Sequence, residues 1–182
     1  MRTNEQLGEL RGAGEVRFVR TLPGPIEQVW AFLTEPEKRS RWFAGGPMEP
    51  RAGGRVSLHF LHRNLAPDET PPDEYREVQV SGVEMRGTVT RWEPPRVLAY
   101  TFSDASEVTF ELTPRGDEVL LVLTHRSRPA DLPEMGNFSA GWHTHLEHLQ
   151  ALLVGAPRPP FWSLFLELKE QYERRRAAAF AA

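Results

Sequence analysis

Hydrophobic positions change their spacing along this chain, and each change marks an element. VRFVRTL (16–22) is rich in β-branched and aromatic residues and predicts a strand. In PGPIEQVWAFLTEPEKRSRWF the spacing lengthens. Pro25 takes a first-turn position, and Ile26, Val29, Trp30 and Leu33 recur at helical intervals. Thr34, with Glu37 three residues on, reads as a capping box that opens a second short helix ending near Trp42 and Phe43. Extended structure follows. MEPRAGGRVSLHFLH turns at Gly53 and Gly54, and VQVSGVEMRGTVTRWE, RVLAYTF (96–102), SEVTFELTP (106–114) and EVLLVLTHR (118–126) predict strands. The segment RNLAPDETPPDEYRE (63–77) carries too many prolines and acids for a central strand and is expected as a solvated flap, a natural lid over a pocket mouth. After Pro133 the period becomes 3.6 and holds to about Val154, where Gly155 and Pro157 stop it. A last helix, FWSLFLELKEQYERRR, follows PRPP.

The order is strand, two short helices, about six antiparallel strands, a long helix and an added helix, which is an α+β arrangement. At 182 residues, with 40% hydrophobic and 26% charged residues, the chain suits one packed domain. A flexible arm over 1–13, a domain over 14–156 and a helical extension over 157–182 are the expected divisions. The net charge of −3 and a densest basic block of only Arg174–Arg176 argue against nucleic acid as the main partner. There are no cysteines, which excludes disulfides and thiolate chemistry. No apolar leader and no stretch of about 20 apolar residues is present, so a cytoplasmic protein without membrane insertion is expected.

Histidines are the first candidates for chemistry. SAGWHTHLEHLQALLVG sets His143, His145 and His148 on the long helix. At about 100° per residue, Trp142, Leu146, Leu149 and Leu153 share the buried arc, which turns His143 toward solvent. His145 and His148 are close enough to meet, yet no Cys, His-x-x-x-His or Glu-x-x-His completes a zinc set. The expectation is one cavity-edge histidine, His145, two surface histidines and no metal. His59 and His62 have opposite parity and cannot share a metal on a regular strand. His125 shares parity with Leu121 and Leu123 and points inward; it is either a ligand handle or general base, or a histidine capped by a backbone carbonyl. Asp68, Glu69, Asp73 and Glu74 are expected to be solvated. No nucleophile elbow, GxGxxG or phosphate loop occurs, and no cofactor is expected.

Taken together, PIEQVWAFLTEPEKRSRWF, RAGGRV, GTVTRWEPPRVLAYTF, SEVTFELTPRGDEVLLVLTH and GWHTHLEHLQALL resemble the START-like helix-grip (SRPBCC) superfamily. The match is nearest its branch of activator-of-heat-shock-ATPase homologues and covers about residues 14–155. The resemblance implies a curved sheet of about seven strands wrapped on the long helix, with an apolar cavity between them. On that fold Trp42, Phe60, Tyr100, Phe102, Phe110 and Trp142 would converge on the cavity, with His125 at a polar end and His145 at the edge; the same rings could instead fill the space solidly. The leading expectation is a protein that binds a small hydrophobic molecule. An enzyme of cyclase or hydrolase type with His125 as base is the second reading. Regulation of a chaperone ATPase is the third, weakened because the eukaryotic co-chaperones carry a further N-terminal domain. The final helix bears an apolar stripe, Phe161, Leu164, Phe165 and Leu168, which must be covered either by its own domain or across a homodimer.

Overall fold

A computed structural model of the chain describes residues 6–102 and 106–180. Strand β2 (Glu15–Pro23) alternates as its sequence requires, with Val16, Phe18, Arg20 and Leu22 turned inward. Helices α1 (Ile26–Thr34) and α2 (Pro36–Arg39) follow. Then come β3 (Arg55–Phe60), a helix α3 (Arg76–Val80), and the meander β4 (Val83–Glu93), β5 (Val97–Thr101), β6 (Ser106–Arg115) and β7 (Glu118–Ser127). With the short β1 (Glu9–Leu10), they form one seven-stranded antiparallel sheet in the order β1-β2-β7-β6-β5-β4-β3. Register aligns Phe18 with Leu123 and Leu123 with Phe110, so the inward rows of three strands meet under the long helix α4 (Met135–Val154). This is the helix-grip arrangement.

Helix α4 buries twelve of its twenty residues, more than one apolar stripe can hold, so it must have a second partner. That partner is α5 (Phe161–Phe180), which packs along α4 and buries Phe161, Trp162, Phe165, Leu168 and Tyr172. At about 1.5–3 kcal/mol for each large side chain removed from water, this contact is a major part of the core. The stripe that suggested a homodimer is therefore covered within the chain. At Gly155 the backbone turns left-handed, with φ 69°, and ends α4 where the sequence places its stop.

Several expectations change. Residues 1–5 of the arm lie outside the described chain. Glu9–Leu10 pairs with Arg17–Val16, and the Gly8 amide donates to Tyr172 Oη at 2.6 Å, so this part of the arm is docked. Thr34 does not cap α2; its hydroxyl donates to the Trp30 carbonyl one turn back, and Glu35 stands at the N-cap. The stretch expected as a flap folds into 3-10 turns at His62–Asn64 and Asp73–Tyr75 and then α3, so extended structure resumes only at Val83. Its Glu69 is bound rather than solvated. The two carboxylate oxygens accept the amides of Phe161 and Trp162 at 2.6 and 2.9 Å, capping α5.

Candidate functional site

The site begins at the RWF triplet after α2. The buried Arg39 guanidinium donates to the carbonyls of Ala44, Thr34 and Gly45 at 2.9, 3.2 and 3.2 Å and to that of Gly46, which pins the following turn. The pinned turn sends the neighbouring rings in different directions. Trp42 goes into the core, where its indole N–H donates to the Phe32 carbonyl at 2.9 Å. Phe43 goes toward α4 and meets Trp142 at 4.7 Å, Phe60 at 5.1 Å and His145 at 5.0 Å between ring centroids.

An open cleft of about 460 Å³ lies against this cluster. Phe43, Phe60 and Phe102 form one side, and Phe138, Gly141, Trp142 and His145 of α4 form the floor. The remaining wall comes from the reorganised 62–85 segment: His62, Tyr75, Val78, Val83, Glu84 and Met85, with Asn137 at the rim. That wall is held by α5. Trp162 stacks on Tyr75 at 5.3 Å, and its indole N–H donates to Gln79 Oε1 at 3.0 Å, while Gln79 Nε2 donates to the Ala66 carbonyl at 2.8 Å.

Of the side chains expected to converge, Phe60, Phe102, Trp142 and His145 line the cleft. Trp42, Tyr100 and Phe110 lie beneath it in the packed core. His125 does face inward and is fully buried, but one layer down. It stacks on Phe138 at 4.6 Å, and its Nδ1 accepts the Trp142 indole N–H at 2.8 Å. That lone pair is thus occupied, and Phe102, Phe138 and Trp142 stand between the ring and the cleft, which leaves little scope for a base acting there. Phe43 and Tyr75 were not singled out from sequence, and His62 was weighed only as a metal partner of His59. Phe43 carried no signal that separates it from Trp42, because parity has no meaning in an irregular turn. Tyr75 sits in the 63–77 stretch whose composition spoke for solvent, and His62 ends the preceding run, which reads as extended.

All three histidines of α4 are buried, a correction for His143 and His148. The arc argument supposed one covered face, and α5 covers a second. His143 Nδ1 lies 3.0 Å from Tyr172 Oη. His145 Nδ1 donates to the Trp42 carbonyl at 2.7 Å, and His148 Nε2 to the Pro159 carbonyl at 3.0 Å. His62 packs 5.4 Å from His145 and 4.7 Å from Phe161. Burial drives the imidazoles of His62 and His148 down to about 4 and that of His145 well below its ordinary value, so the group is neutral at pH 7. Among the described residues no group of His, Asp and Glu could hold a metal ion.

A second hollow, about 600 Å³, lies on the outer rim of β3 and β4. It holds Ser57, His59 and Glu84, but both the Ser57 hydroxyl, at 3.1 Å, and Glu84, at 3.4 Å, approach the same His59 nitrogen. A proton relay needs them on opposite nitrogens. Glu49 with Arg55 and Glu84 with Arg86 make this an exposed ion-paired surface. Among the described residues no helix is long and apolar enough to cross a membrane.

A family model described as Activator of Hsp90 ATPase homolog 1-like protein matches residues 23–154, a span that contains every cleft residue and excludes α5. The solution structure of a Bordetella parapertussis protein is 44% identical, with a TM-score of 0.78 over 92% of this chain and 89% of that one. A conserved Enterococcus faecalis protein of unknown function is 16% identical (TM-score 0.70, covering 96% of this chain and 91% of that one). CalU16 from Micromonospora echinospora is 22% identical (TM-score 0.60, 93% and 94%). These two show the shared fold alone. No curated protein matches the chain. The grip of a seven-stranded sheet on α4 and the match over residues 23–154 lead to one assignment: the chain belongs to the family of activator of Hsp90 ATPase homolog 1-like proteins.

Proposed function

We propose that the protein binds a small, largely apolar molecule in the cleft between α3, the start of β4 and the first half of α4. The observation that carries this reading is Gly141. Glycine inside a helix costs about 1 kcal/mol relative to alanine. Here an added Cβ would meet nothing within 4 Å, so no protein packing demands its absence. What the missing side chain provides is room on the floor of a ring-lined cleft. The cleft's volume and apolar walls with a few polar groups are those of a small-molecule site. An enzymatic role through His125 draws no support from a ring whose Nδ1 is held by Trp142.

Native mass spectrometry of freshly purified protein, followed by organic extraction, tests the proposal. A bound small-molecule mass, lost in Gly141→Leu while the fold persists, is the expected result. A clean unliganded mass together with no saturable chemical-shift change on adding ring-bearing fragments would count decisively against it.

A further inference from the structure

Four of the six histidines in the chain face one element, α5. His62, His145 and His148 surround the ring of Phe161, the first residue of that helix, at 4.7, 5.1 and 5.4 Å between centroids. Farther along, Tyr172 lies against His143. Both ring nitrogens of His62 and the Nδ1 of His148 are sealed from solvent and have no hydrogen-bond partner, so water reaches them only if a covering element moves. The element free to move is α5. Helix α4 is held from its other side, where Trp142 bonds His125 of β7 and packs on Phe110 of β6. The family match stops at residue 154, so α5 is an addition to the grip of the sheet on α4 and not a part of it.

Protonating these rings would load the contact with charge that it cannot balance. The first turn of a helix is itself a positive end, and three of the four imidazoles surround it. Arg158 stands near His148 and Arg20 near His143, while Tyr172, whose ionisation burial pushes up, adds no negative charge. The carboxylates that face the group are Glu69 and Glu147. Glu69 already accepts the Phe161 and Trp162 amides, and Glu147 is shared with Arg20 at 3.9 Å. Whatever displaces α5 also takes the cleft wall with it, because Trp162 holds Gln79 and stacks on Tyr75. We propose that α5 is an acid-released cover: as the histidines beneath it take up protons, α5 and α3 leave together and open the cleft, while the sheet and α4 stay folded. The cover works in this way whether or not the cleft holds a ligand.

Amide exchange of the full chain between pH 7.5 and 5, corrected for the intrinsic rate at each pH, tests this. The amides of α5 and α3 should form one class that opens at lower cost than β6 and β7. Between pH 7.5 and 5 that class should open about 30-fold more often for each of His62 and His148 that it hydrates, the factor that follows from values of about 4 when covered and 6.5 in water. His148→Gln keeps a donor for the Pro159 carbonyl, and His62→Phe keeps an aromatic ring against Phe161. Each should remove about that factor from the acid response. If neither variant folds, exchange in the wild-type protein decides alone. One common protection for α5 and the sheet strands at pH 5, an α5 class whose opening does not change with pH, or α5 opening while α3 stays protected would each overturn the cover. So would an acid response undiminished in both variants.

Discussion

Gly141 and Arg39 shape the cleft in opposite ways, one by omission and one by holding the turn that carries Phe43. Replacing Gly141 with alanine fills space that nothing occupies and restores helix propensity, so Gly141→Ala should stabilise the fold by about 0.5–1 kcal/mol in urea unfolding. Gly141→Leu should keep the fold and lose ligand, which separates the helix's preference from the cleft's need. Arg39 works in the other sense. Its guanidinium donates to backbone carbonyls around the RWF turn, and Arg39→Met would take that donor from Ala44, Thr34 and Gly46, while the Gly45 carbonyl keeps the His59 amide. A loss of about 2–4 kcal/mol is expected, with the Trp42 and Phe43 rings losing their fixed positions in the aromatic proton spectrum. A single charged residue in EPEKRSRW gives no sign from sequence that it, rather than Lys38 or Arg41, is the buried one. The side chains that set the cleft's shape at this scale are the ones composition could not rank.

Elements with a regular period were legible, and those built by partners were not. Strands β2, β6 and β7 follow their alternation, and α4 ends at the glycine that sequence marks. Helix α3 and the 3-10 turns before it have no period of their own; they exist because α5 grips them. Trp162 reaches Gln79 and Tyr75, and Glu69 caps the first turn of α5. The same hidden partner explains why His143 and His148 are buried although their arc looked solvent-facing. If the two elements form one unit, Glu69→Ala should loosen both. About 1 kcal/mol of stability should be lost. Amide exchange should rise not only at Phe161 and Trp162 but also through α3. An increase confined to α5 would mean that the cleft wall stands without it.

At the scale of the whole molecule, enclosing neutral histidines between the sheet, α4 and α5 ties stability to pH. His62 and His148 lie below their ordinary value of 6.5, at about 4, because burial disfavours the charged ring. His62 and His148 also repel one another when charged, and Arg158 adds to the repulsion at His148; the carbonyl of Pro159 and the carboxylates of Glu69 and Glu147 oppose it there. Because the unfolded chain takes up these protons first, the unfolded state binds more of them throughout the interval between about 4 and 6.5. Stability is therefore full above pH 6.5 and falls as the pH drops through that interval, by about 3 kcal/mol for His62 alone. Against a typical total of about 5–15 kcal/mol, this is enough to dominate acid unfolding. Urea midpoints measured from pH 7.5 to 4.5 should decline steeply below pH 6.5, and His62→Phe should flatten the slope because it removes one of the protons taken up. A midpoint that stays level to pH 4.5 would mean that these rings are hydrated and not sealed between the sheet and the two helices.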